Sequence, residues 1–473
     1  MEISQFLING EWRSSEKHKP VVNPYDCKTA GEVYQASQND IGDAIQSAEA
    51  AFALTRKLQS YERAEILAFI AGEIATEKER FAQLVTAETG KPITASRAEV
   101  DRSILTFTIA SEEAKRIEGS VLPLDLASHS DNRLGLLRRF PMGPVGAITP
   151  FNFPLNLVAH KVAPAIAAGN SIVLKPSSSA PLTALLLSHI IDNSGFPKGG
   201  FNIVPCLANE AGQLITDERI RLITFTGSSI IGWGIKSQAG KKRVTLELGG
   251  NAGVIIDRGF DVGQVASRVA QGSYGNAGQS CIAVQRIYVH EGIYDEFTDN
   301  FVKLSRSIPM GDPRDDRTVV GPMISEEAAV KAEGLIKEAV RAGARILCGG
   351  GRERAMLEPT VLVDVKPEMK VSCQEVFAPV VTLDRFRDFK HAVEAVNNSA
   401  FGLQAGVFSK DLNNIFYAFN ELEVGGVIVN DFPTYRIDNM PYGGVKNSGF
   451  GREGLKYAIE EMTEMKLLAL NFV

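Results

Sequence analysis

The chain has 473 residues, too many for one compact core, and domain-size scaling predicts two or three lobes with room for a ligand cleft between them. Its 44% hydrophobic and 22% charged residues exclude a disordered chain or a fibre. The net charge of −6 is small for this length and no basic block occurs, so nucleic acid is not expected as a partner.

The sequence also predicts where the chain resides. The first twenty residues lack a basic segment followed by an apolar core, so no signal peptide is expected. The longest apolar stretches, such as residues 180–191, are shorter than the roughly 20 residues that cross a bilayer, which argues against a membrane protein. The five cysteines are widely spaced, which predicts a reducing cytoplasm with neither disulfides nor a metal site. They are Cys27, Cys206, Cys281, Cys348 and Cys373.

The predicted elements fall into three regions along the chain. Residues 38–117 repeat apolar positions at three- and four-residue spacing, which predicts helices that cover a sheet. From Gly143, short apolar strands alternate with helices, as in GAIT, SIVLK and RVTLEL, and this alternation predicts a parallel, doubly wound sheet. After residue 250 a second such series begins with GVIID and a helix over residues 261–274, which predicts a second lobe.

Two further segments have the pattern of exposed strands. Residues 118–140 contain two extended apolar stretches around a Ser-His-Ser-Asp-Asn turn, and the C-terminal MKLLALNFV is similar. Because an isolated hairpin is marginal in water, we expect these segments to pair with each other or with another subunit. Unpaired strand edges are normally covered, so a homodimer or homotetramer is expected.

Three segments supply the groups that an aldehyde oxidation needs. ITPFNFPLN provides the amide of Asn152, TLELGGNAG the carboxylate of Glu247 and GNAGQSC the thiol of Cys281. All three are expected on loops that follow strands, where ligands gather in such sheets. The reaction requires a thiolate to attack, a donor for the resulting oxyanion and a base to activate water. A lone cysteine is otherwise most often a small buried hydrophobe.

Seven motifs in a fixed order resemble those of the aldehyde dehydrogenase superfamily. They are PFNFPLN, KPSS, FTGSSIIG, LELGGNA, GQSC, EVFAPV and PYGGVKNSGFGRE, and the resemblance extends over essentially the whole chain. It implies an α/β fold of two doubly wound Rossmann-like lobes plus a small β oligomerisation hairpin. The implied cofactor-binding domain comprises residues 1–117 and 141–250, the catalytic domain residues 251–454, and the oligomerisation element residues 118–140 and 455–473.

The resemblance also assigns catalytic roles. Cys281 would be the nucleophile, Glu247 the general base, and Asn152 with the backbone N–H of Cys281 the oxyanion hole. Attack by the thiolate gives a thiohemiacetal, hydride transfer to the nicotinamide gives a thioester, and water activated by Glu247 releases the acid. A free thiol has a pKa of about 8.5, so the site must favour the thiolate of Cys281.

The implied cofactor is NAD or NADP. Gly227, Ser228 and Gly232 follow the strand IRLITFT at the start of a helix, where backbone N–H groups suit a pyrophosphate. The resemblance places Lys175 at the adenosine ribose.

Two further positions are implied at the nicotinamide ribose. Glu375 would bind its hydroxyls, and Phe377 would pack beside it or belong to the ordinary core. Many NAD-preferring members carry a glutamate where this chain has Ser178, so the choice between NAD and NADP stays open. The run from Gly449 to Gly454 fits G-x-G-x-x-G but lacks a following βαβ unit, and we reject it as a nucleotide site.

The implied substrate pocket has a polar character. Asn156 and His160 are placed along it, although His160 is equally well explained as a core histidine. Arg436 lies in the segment that closes the pocket and could bind a carboxylate, phosphate or phosphonate, whereas a single arginine is by default a surface residue. These residues predict a short, polar, possibly anionic aldehyde as substrate.

The sequence leaves two alternative functions to consider. A relative that passes its thioester to coenzyme A typically lacks the glutamate of the ELGG segment, which is present here as Glu247. A non-catalytic structural member would have lost the thiol or the oxyanion donor, and both are retained.

Overall fold

The computed structural model describes residues 3–472 as a mixed α/β protein. Met1, Glu2 and Val473, which belong to the predicted cofactor-binding and oligomerisation segments, lie outside the described residues. The N-terminal region begins with two hairpins that were not predicted from the sequence, followed by four helices within the region predicted to be helical. They are β1 (Phe6–Ile8), β2 (Glu11–Arg13), β3 (His18–Val22), β4 (Thr29–Tyr34), α1 (Gln38–Thr55), α2 (Ser60–Thr76), α3 (Lys78–Thr89) and α4 (Ile93–Ala114).

The local sequence explains where these helices begin and end. Ser37 caps α1, since its side chain accepts from the N–H of Asp40 while the Asp40 carboxylate accepts from the N–H of Ser37. Helix α3 ends at Gly90, whose φ of 73° is in the left-handed region that glycine adopts without strain.

Residues 120–247 form the first parallel sheet and the strands that precede it. The elements are β5 (Ser120–Pro123), β6 (Arg133–Pro141), β7 (Val145–Ile148), α5 (Asn156–Ala168), β8 (Ile172–Lys175), α6 (Leu182–Asp192), β9 (Phe201–Ile203), α7 (Gly212–Thr216), β10 (Leu222–Thr226), α8 (Ser229–Gln238) and β11 (Arg243–Glu247). Five of the strands pair in parallel in the order β11-β10-β7-β8-β9. Strands β7 and β8 are buried throughout, as expected for a sheet covered on both faces.

Residues 252–429 build the second sheet. The elements are β12 (Ala252–Ile256), α9 (Val262–Tyr274), β13 (Val284–His290), α10 (Tyr294–Ser307), α11 (Glu326–Arg341), β14 (Arg345–Cys348), β15 (Arg352–Glu353), β16 (Met356–Leu357), β17 (Thr360–Val363), α12 (Lys370–Cys373), β18 (Val380–Phe386), α13 (Phe389–Asn397), β19 (Phe401–Gly402), β20 (Gln404–Phe408), α14 (Leu412–Glu421) and β21 (Gly426–Val429). The strand order is β14-β17-β18-β13-β12-β20-β21, and only β14 runs antiparallel to its neighbour. The predicted architecture of two doubly wound lobes is confirmed.

The C-terminal segment returns to the first lobe. It contains β22 (Val445–Lys446), β23 (Gly449–Phe450), α15 (Leu455–Glu461) and β24 (Thr463–Asn471). Strand β23 adds to the edge of the first sheet antiparallel to β11 and pairs Gly449 with Glu247. The glycine-rich run from Gly449 therefore starts in an antiparallel edge strand, unlike the parallel strand of a dinucleotide-binding unit.

A separate three-stranded sheet has the order β24-β6-β5. The pairing of β24 with β6 runs from Thr463 opposite Pro141 to Asn471 opposite Arg133. Of the two predicted alternatives, pairing with each other or with another subunit, the structure shows the first within a single chain. Met465, Leu467 and Leu468 on β24 are about half exposed, at 59%, 49% and 54%.

No helix within residues 3–472 is long and apolar enough to cross a membrane.

Candidate active site

A cleft of about 720 Å³ brings together the three residues predicted to carry the chemistry, Asn152, Glu247 and Cys281. Asn152 follows β7 and Glu247 ends β11, so both extend from the carboxyl edge of the first sheet. Cys281 lies between α9 and β13, at the amino edge of the second sheet. The expectation that Cys281 follows a strand was wrong, because the two lobes present opposite edges of their sheets to one cleft.

The loop before Cys281 has an unusual backbone. Asn276 and Ala277 both have φ of 53°, in the left-handed region that non-glycine residues rarely adopt. The loop is held to the first lobe by the Asn276 side chain, whose Nδ2 donates to the backbone carbonyl of Asn152 over 3.3 Å. The loop that precedes Cys281 therefore lies against the loop that contains Asn152.

The Cys281 thiol is half-buried and has one hydrogen-bond partner among the described residues. Its Sγ lies 3.1 Å from Oη of Tyr442. Burial raises the pKa of the Cys281 thiol, while the hydrogen bond with Tyr442 and the charge of Arg436 act in the opposite direction. The thiolate therefore depends on donors and positive charge within the cleft.

Glu247 is buried, and neither of its carboxylate oxygens has a hydrogen-bond partner within residues 3–472. Burial raises its pKa well above the usual value, and the negative charge of Glu453 adds to the effect. A carboxyl group in this state is suited to exchange a proton with a water molecule in the cleft.

Asn152 presents its amide to the same cleft. Its Nδ2 donates to the backbone carbonyl of Gln279 over 3.0 Å, two residues before Cys281. Since an amide nitrogen carries two hydrogens, one donor remains for a ligand. Its buried Oδ1 has no partner among the described residues.

The two glycines of the ELGG motif make space for the site. A Cβ on Gly249 would collide with Oε2 of Glu375, and a Cβ on Gly250 would collide with the backbone carbonyl of Cys281. The N–H of Gly250 also donates to Oε1 of Glu375 over 3.0 Å. The motif thus allows the loop after Glu247 to contact the second lobe at both residues.

Four of the predicted cofactor residues line the cleft, namely Gly227, Ser228, Glu375 and Phe377. Ser228 is the N-cap of α8, so the first backbone N–H groups of a ten-residue helix point towards the cleft. Burial raises the pKa of Glu375 to about 7, against the hydrogen bond from Gly250. Phe377 packs edge-to-face on Phe151, with ring centroids 6.0 Å apart, and so lines the site instead of filling the core.

The other predicted cofactor residues lie outside the lining of this cleft. Lys175 ends β8, and its Nζ donates to Oγ of Ser178 over 3.2 Å, while Ser178 donates to the carbonyl of Cys206. Burial lowers the pKa of Lys175. Gly232 lies on α8, where a Cβ would collide with Leu248, so its role is close packing of the helix.

One wall of the cleft contains the three residues expected at the substrate pocket, Asn156, His160 and Arg436. Nη2 of Arg436 lies 3.1 Å from Nδ1 of His160 and 3.0 Å from Oε2 of Glu453. Because a guanidinium only donates, Nδ1 of His160 accepts, and Nε2 carries the proton shared with Asp438 over 2.8 Å. His160 is therefore both buried and part of the pocket wall.

The default interpretation of Arg436 as a surface arginine was wrong, since its side chain is only 7% exposed. Glu453 already pairs with Arg436 in the absence of substrate, and Asp438 lies 3.5 Å from its Nε. Nη1 of Arg436 makes no hydrogen bond within the described part of the chain, and the residue lines the cleft.

A model of the aldehyde dehydrogenase family matches residues 12–468. The chain belongs to the aldehyde dehydrogenase family. The enzyme is 44% identical over 465 residues to a 3-sulfolactaldehyde dehydrogenase of Priestia megaterium, which covers 98% of this chain and 97% of the relative.

Two solved structures show the same fold as this aldehyde dehydrogenase. Aldehyde dehydrogenase 21 from Physcomitrella patens, in complex with the reaction product succinate, superposes with a TM-score of 0.98 at 46% identity and covers 99% of this chain and 98% of that one. Glyceraldehyde-3-phosphate dehydrogenase from Methanocaldococcus jannaschii, complexed with NADP, superposes with a TM-score of 0.93 at 39% identity. The match covers 97% of this chain and 100% of that one.

Sequence reasoning missed several residues that line the enzyme's cleft or pair with its lining. Arg102 on α4 lines it, and its Nη2 donates to Oδ1 of Asp438 over 3.1 Å. Tyr442 and Glu453 lie within the PYGGVKNSGFGRE motif, so a signal existed, but no role had been assigned to them. For Arg102 no motif signalled a role, because its position depends on packing between α4 and a loop more than 300 residues away.

Proposed function

We propose that this aldehyde dehydrogenase oxidises a short aldehyde bearing an anionic group to the corresponding carboxylic acid, with NAD or NADP as the oxidant. The observation that carries the proposal is the presence of two guanidinium groups, Arg436 and Arg102, in the same cleft as Cys281. A planar guanidinium binds a carboxylate, sulfonate or phosphate with paired hydrogen bonds.

The ionic groups around Arg436 have more positive than negative charge. Three cations, Arg102, Arg436 and Lys161, face two carboxylates, Asp438 and Glu453. Burial opposes ionisation of both carboxylates, but the surrounding basic groups hold both pKa values below the usual range. The wall is therefore net positive, and an anionic substrate group would balance it.

The two relatives with the highest identities reported above support the same substrate class. The names of these proteins refer to 3-sulfolactaldehyde, which carries a sulfonate, and to succinate, which carries a second carboxylate. Both compounds are short and place an anion a few atoms from the oxidised carbon. A cleft with Arg102 and Arg436 on one wall suits this arrangement.

The cleft also fits a nicotinamide dinucleotide. Gly227 and Ser228 offer helix N–H groups to a pyrophosphate, Glu375 has a carboxylate for ribose hydroxyls, and Lys175 with Ser178 would hold the adenosine end. Gly232 allows α8 to pack closely, and Phe377 flanks the Glu375 contact. When bound, the nicotinamide would accept the hydride of the aldehyde. Ser178 introduces no negative charge against a 2′-phosphate, so both cofactors fit.

The chemistry of the protein's own groups follows from their positions. Sγ of Cys281 attacks the aldehyde carbon, and the resulting oxyanion is stabilised by the free hydrogen of the Asn152 amide and by the backbone N–H of Cys281. After oxidation to the thioester, Glu247 takes a proton from water. The hydroxide adds to the acyl carbon, and the Cys281 thiolate leaves with release of the acid.

Hydrolysis is favoured over transfer to coenzyme A because Glu247 lies in the same cleft as Cys281 with both oxygens unpartnered among the described residues. A non-catalytic structural role is disfavoured, since thiol, amide and carboxylate are brought together. Added coenzyme A should therefore leave both the rate and the free-acid product unchanged.

The assembly we propose is a homodimer or homotetramer through the β24-β6-β5 sheet, whose apolar residues are exposed in the single chain. We also propose a cytoplasmic location, because all five cysteines are unpaired.

A substrate panel tests the proposed function. The purified enzyme is assayed for NADH and NADPH formation with 3-sulfolactaldehyde, succinic semialdehyde, lactaldehyde and propionaldehyde. We expect kcat/KM for the two anionic aldehydes to exceed that for propionaldehyde by at least tenfold. Equal values for all four would contradict the anion site, and no reduction of either cofactor would contradict the activity.

A further inference from the structure

Tyr442 is buried beside the nucleophile. It is 3% exposed, lies in the loop before β22, and its Oη is 3.1 Å from Sγ of Cys281. Within residues 3–472 this is the only hydrogen bond of the phenol. The contact therefore joins the second lobe's nucleophile to the segment that returns to the first lobe.

The direction of this hydrogen bond follows from the two groups. A thiolate can only accept, so once Cys281 is ionised the phenol must be the donor. Burial raises the pKa of Tyr442 well above 10, so the phenol keeps its proton at neutral pH. Hydrogen bonds to an ionised partner are roughly twice as strong as neutral ones.

The guanidinium of Arg436 covers the Tyr442 ring, with Cζ 3.6 Å from the ring centroid. A cation over the ring face is attracted by the π electrons and withdraws electron density from the phenol. The hydroxyl becomes a better donor as a result. Glu453 and His160 hold Arg436 in this position through its Nη2.

We propose that Tyr442 is a further catalytic residue, whose hydroxyl donates to Sγ of Cys281 and stabilises the thiolate. The proposal rests on the nucleophilic role proposed for Cys281. No O–H bond breaks in the phenol, and the thiol proton leaves to water. The bond acts twice, first by stabilising the attacking thiolate and later by stabilising the same thiolate as the leaving group when the thioester is hydrolysed. In the thioester, Sγ carries no charge and the bond is weak.

The test is the pH dependence of Cys281 alkylation in Tyr442→Phe, which removes one oxygen and keeps the ring under Arg436. The intact enzyme, without cofactor or aldehyde, is treated with iodoacetamide at pH 6 to 11, and modification of the Cys281 peptide is followed by mass spectrometry. We expect the pH at which alkylation of Cys281 is half-maximal to rise by about one unit in the variant. At any pH well below this midpoint, the variant then has about tenfold less thiolate. Tyr435→Phe, in the same loop but 49% exposed, is the matched control and should not shift the midpoint.

Turnover provides a second readout. In Tyr442→Phe we expect kcat/KM at pH 7 to fall about tenfold and to recover towards the wild-type value as the pH rises. A purely structural role for the hydroxyl would lower activity equally at every pH and leave the alkylation midpoint unchanged, and this result would overturn the proposal.

A further measurement does not depend on the stability of the variant. Biosynthetic replacement of tyrosine by 3-fluorotyrosine makes the phenol more acidic and a stronger donor, so the Cys281 midpoint should move down. An unchanged midpoint would contradict the proposal.

Failure of the proposed function has a different signature. If Cys281 is not the nucleophile, Cys281→Ala retains NAD(P)H formation, whatever the alkylation midpoint of Tyr442→Phe.

Discussion

Arg436 donates from Nη2 to Oε2 of Glu453 over 3.0 Å, and both side chains are almost completely buried, at 7% and 3% exposure. A buried arginine without a partner would be costly, so Glu453 stabilises Arg436 in the absence of substrate. Because the bond uses Nη2 alone, Nη1 is left without a hydrogen bond among the described residues, and Arg436 lines the cleft.

This arrangement predicts that the two arginines select for anionic aldehydes. Arg102→Leu should lower kcat/KM for succinic semialdehyde by about 10- to 150-fold, about 1.5–3 kcal/mol, the scale of a charged hydrogen bond. Propionaldehyde should change little. Arg436→Leu should show the same selective loss of kcat/KM for the anionic aldehyde. It should also have a lower melting temperature, because Glu453 loses a partner.

The matched control for these variants is Arg116→Leu, an exposed arginine just beyond the same helix as Arg102. It should leave both substrates unaffected. Equal losses for the anionic and neutral aldehydes in the Arg102 variant would show that Arg102 acts only through the structure.

Cys281→Ala should abolish NAD(P)H formation, because the variant has no nucleophile to form the thiohemiacetal. Cofactor binding, followed by fluorescence quenching, should stay within about threefold of the wild type. Turnover above a few per cent in the variant would refute the assignment. Cys373→Ala, which changes a partly buried cysteine outside the cleft lining, is the control and should be fully active.

Glu247→Gln should release a burst of NAD(P)H and then stall at the thioester, since glutamine cannot take a proton from water. In the wild type, hydrolysis should accelerate with rising pH, because burial raises the pKa of Glu247 and only the ionised form is a base. Rapid mixing with mass detection of the acyl-enzyme measures both effects. A variant that turns over at the wild-type rate would exclude this role.

Cofactor affinity should depend on pH near neutrality. Burial raises the pKa of Glu375 to about 7, and the ionised carboxylate is the better acceptor for ribose hydroxyls. The Kd should therefore decrease as the pH rises from 6 to 8, as measured by calorimetry. Glu375→Gln should bind more weakly and lose this dependence, whereas Glu368→Gln, at an exposed position nearby, should retain it. A pH-independent Kd in the wild type would contradict the prediction.

The exposed strand β24 predicts an oligomer. Leu468→Glu should shift the enzyme towards the monomer in light scattering at micromolar concentration, since a charge would have to be buried in the interface. Leu412→Glu, on an apolar residue of α14 that is 67% exposed, is the control. A monomeric wild-type mass would disprove the assembly.

The sequence by itself determined the two sheets and the three reactive groups. Parallel strands that are buried on both faces appear as short apolar runs between helices, and this local pattern requires no knowledge of distant contacts. The motifs around Asn152, Glu247 and Cys281 supplied an amide, a carboxylate and a thiol, and the resemblance to the family assigned their roles. The pairing of residues 118–140 with the C-terminal strand was also predictable, because exposed strand edges require partners.

Only the tertiary structure decided which groups modify that chemistry. The ion pair of Arg436 with Glu453, the contact of Arg102 with Asp438 and the hydrogen bond of Tyr442 to Cys281 join distant segments of the chain. In sequence Arg102 and Asp438 have the pattern of ordinary surface positions, and the motif that contains Tyr442 and Glu453 does not say which residues they contact. Burial makes an unpaired charge costly and thereby fixes its partner, and burial depends on how the two lobes pack, which no local pattern encodes.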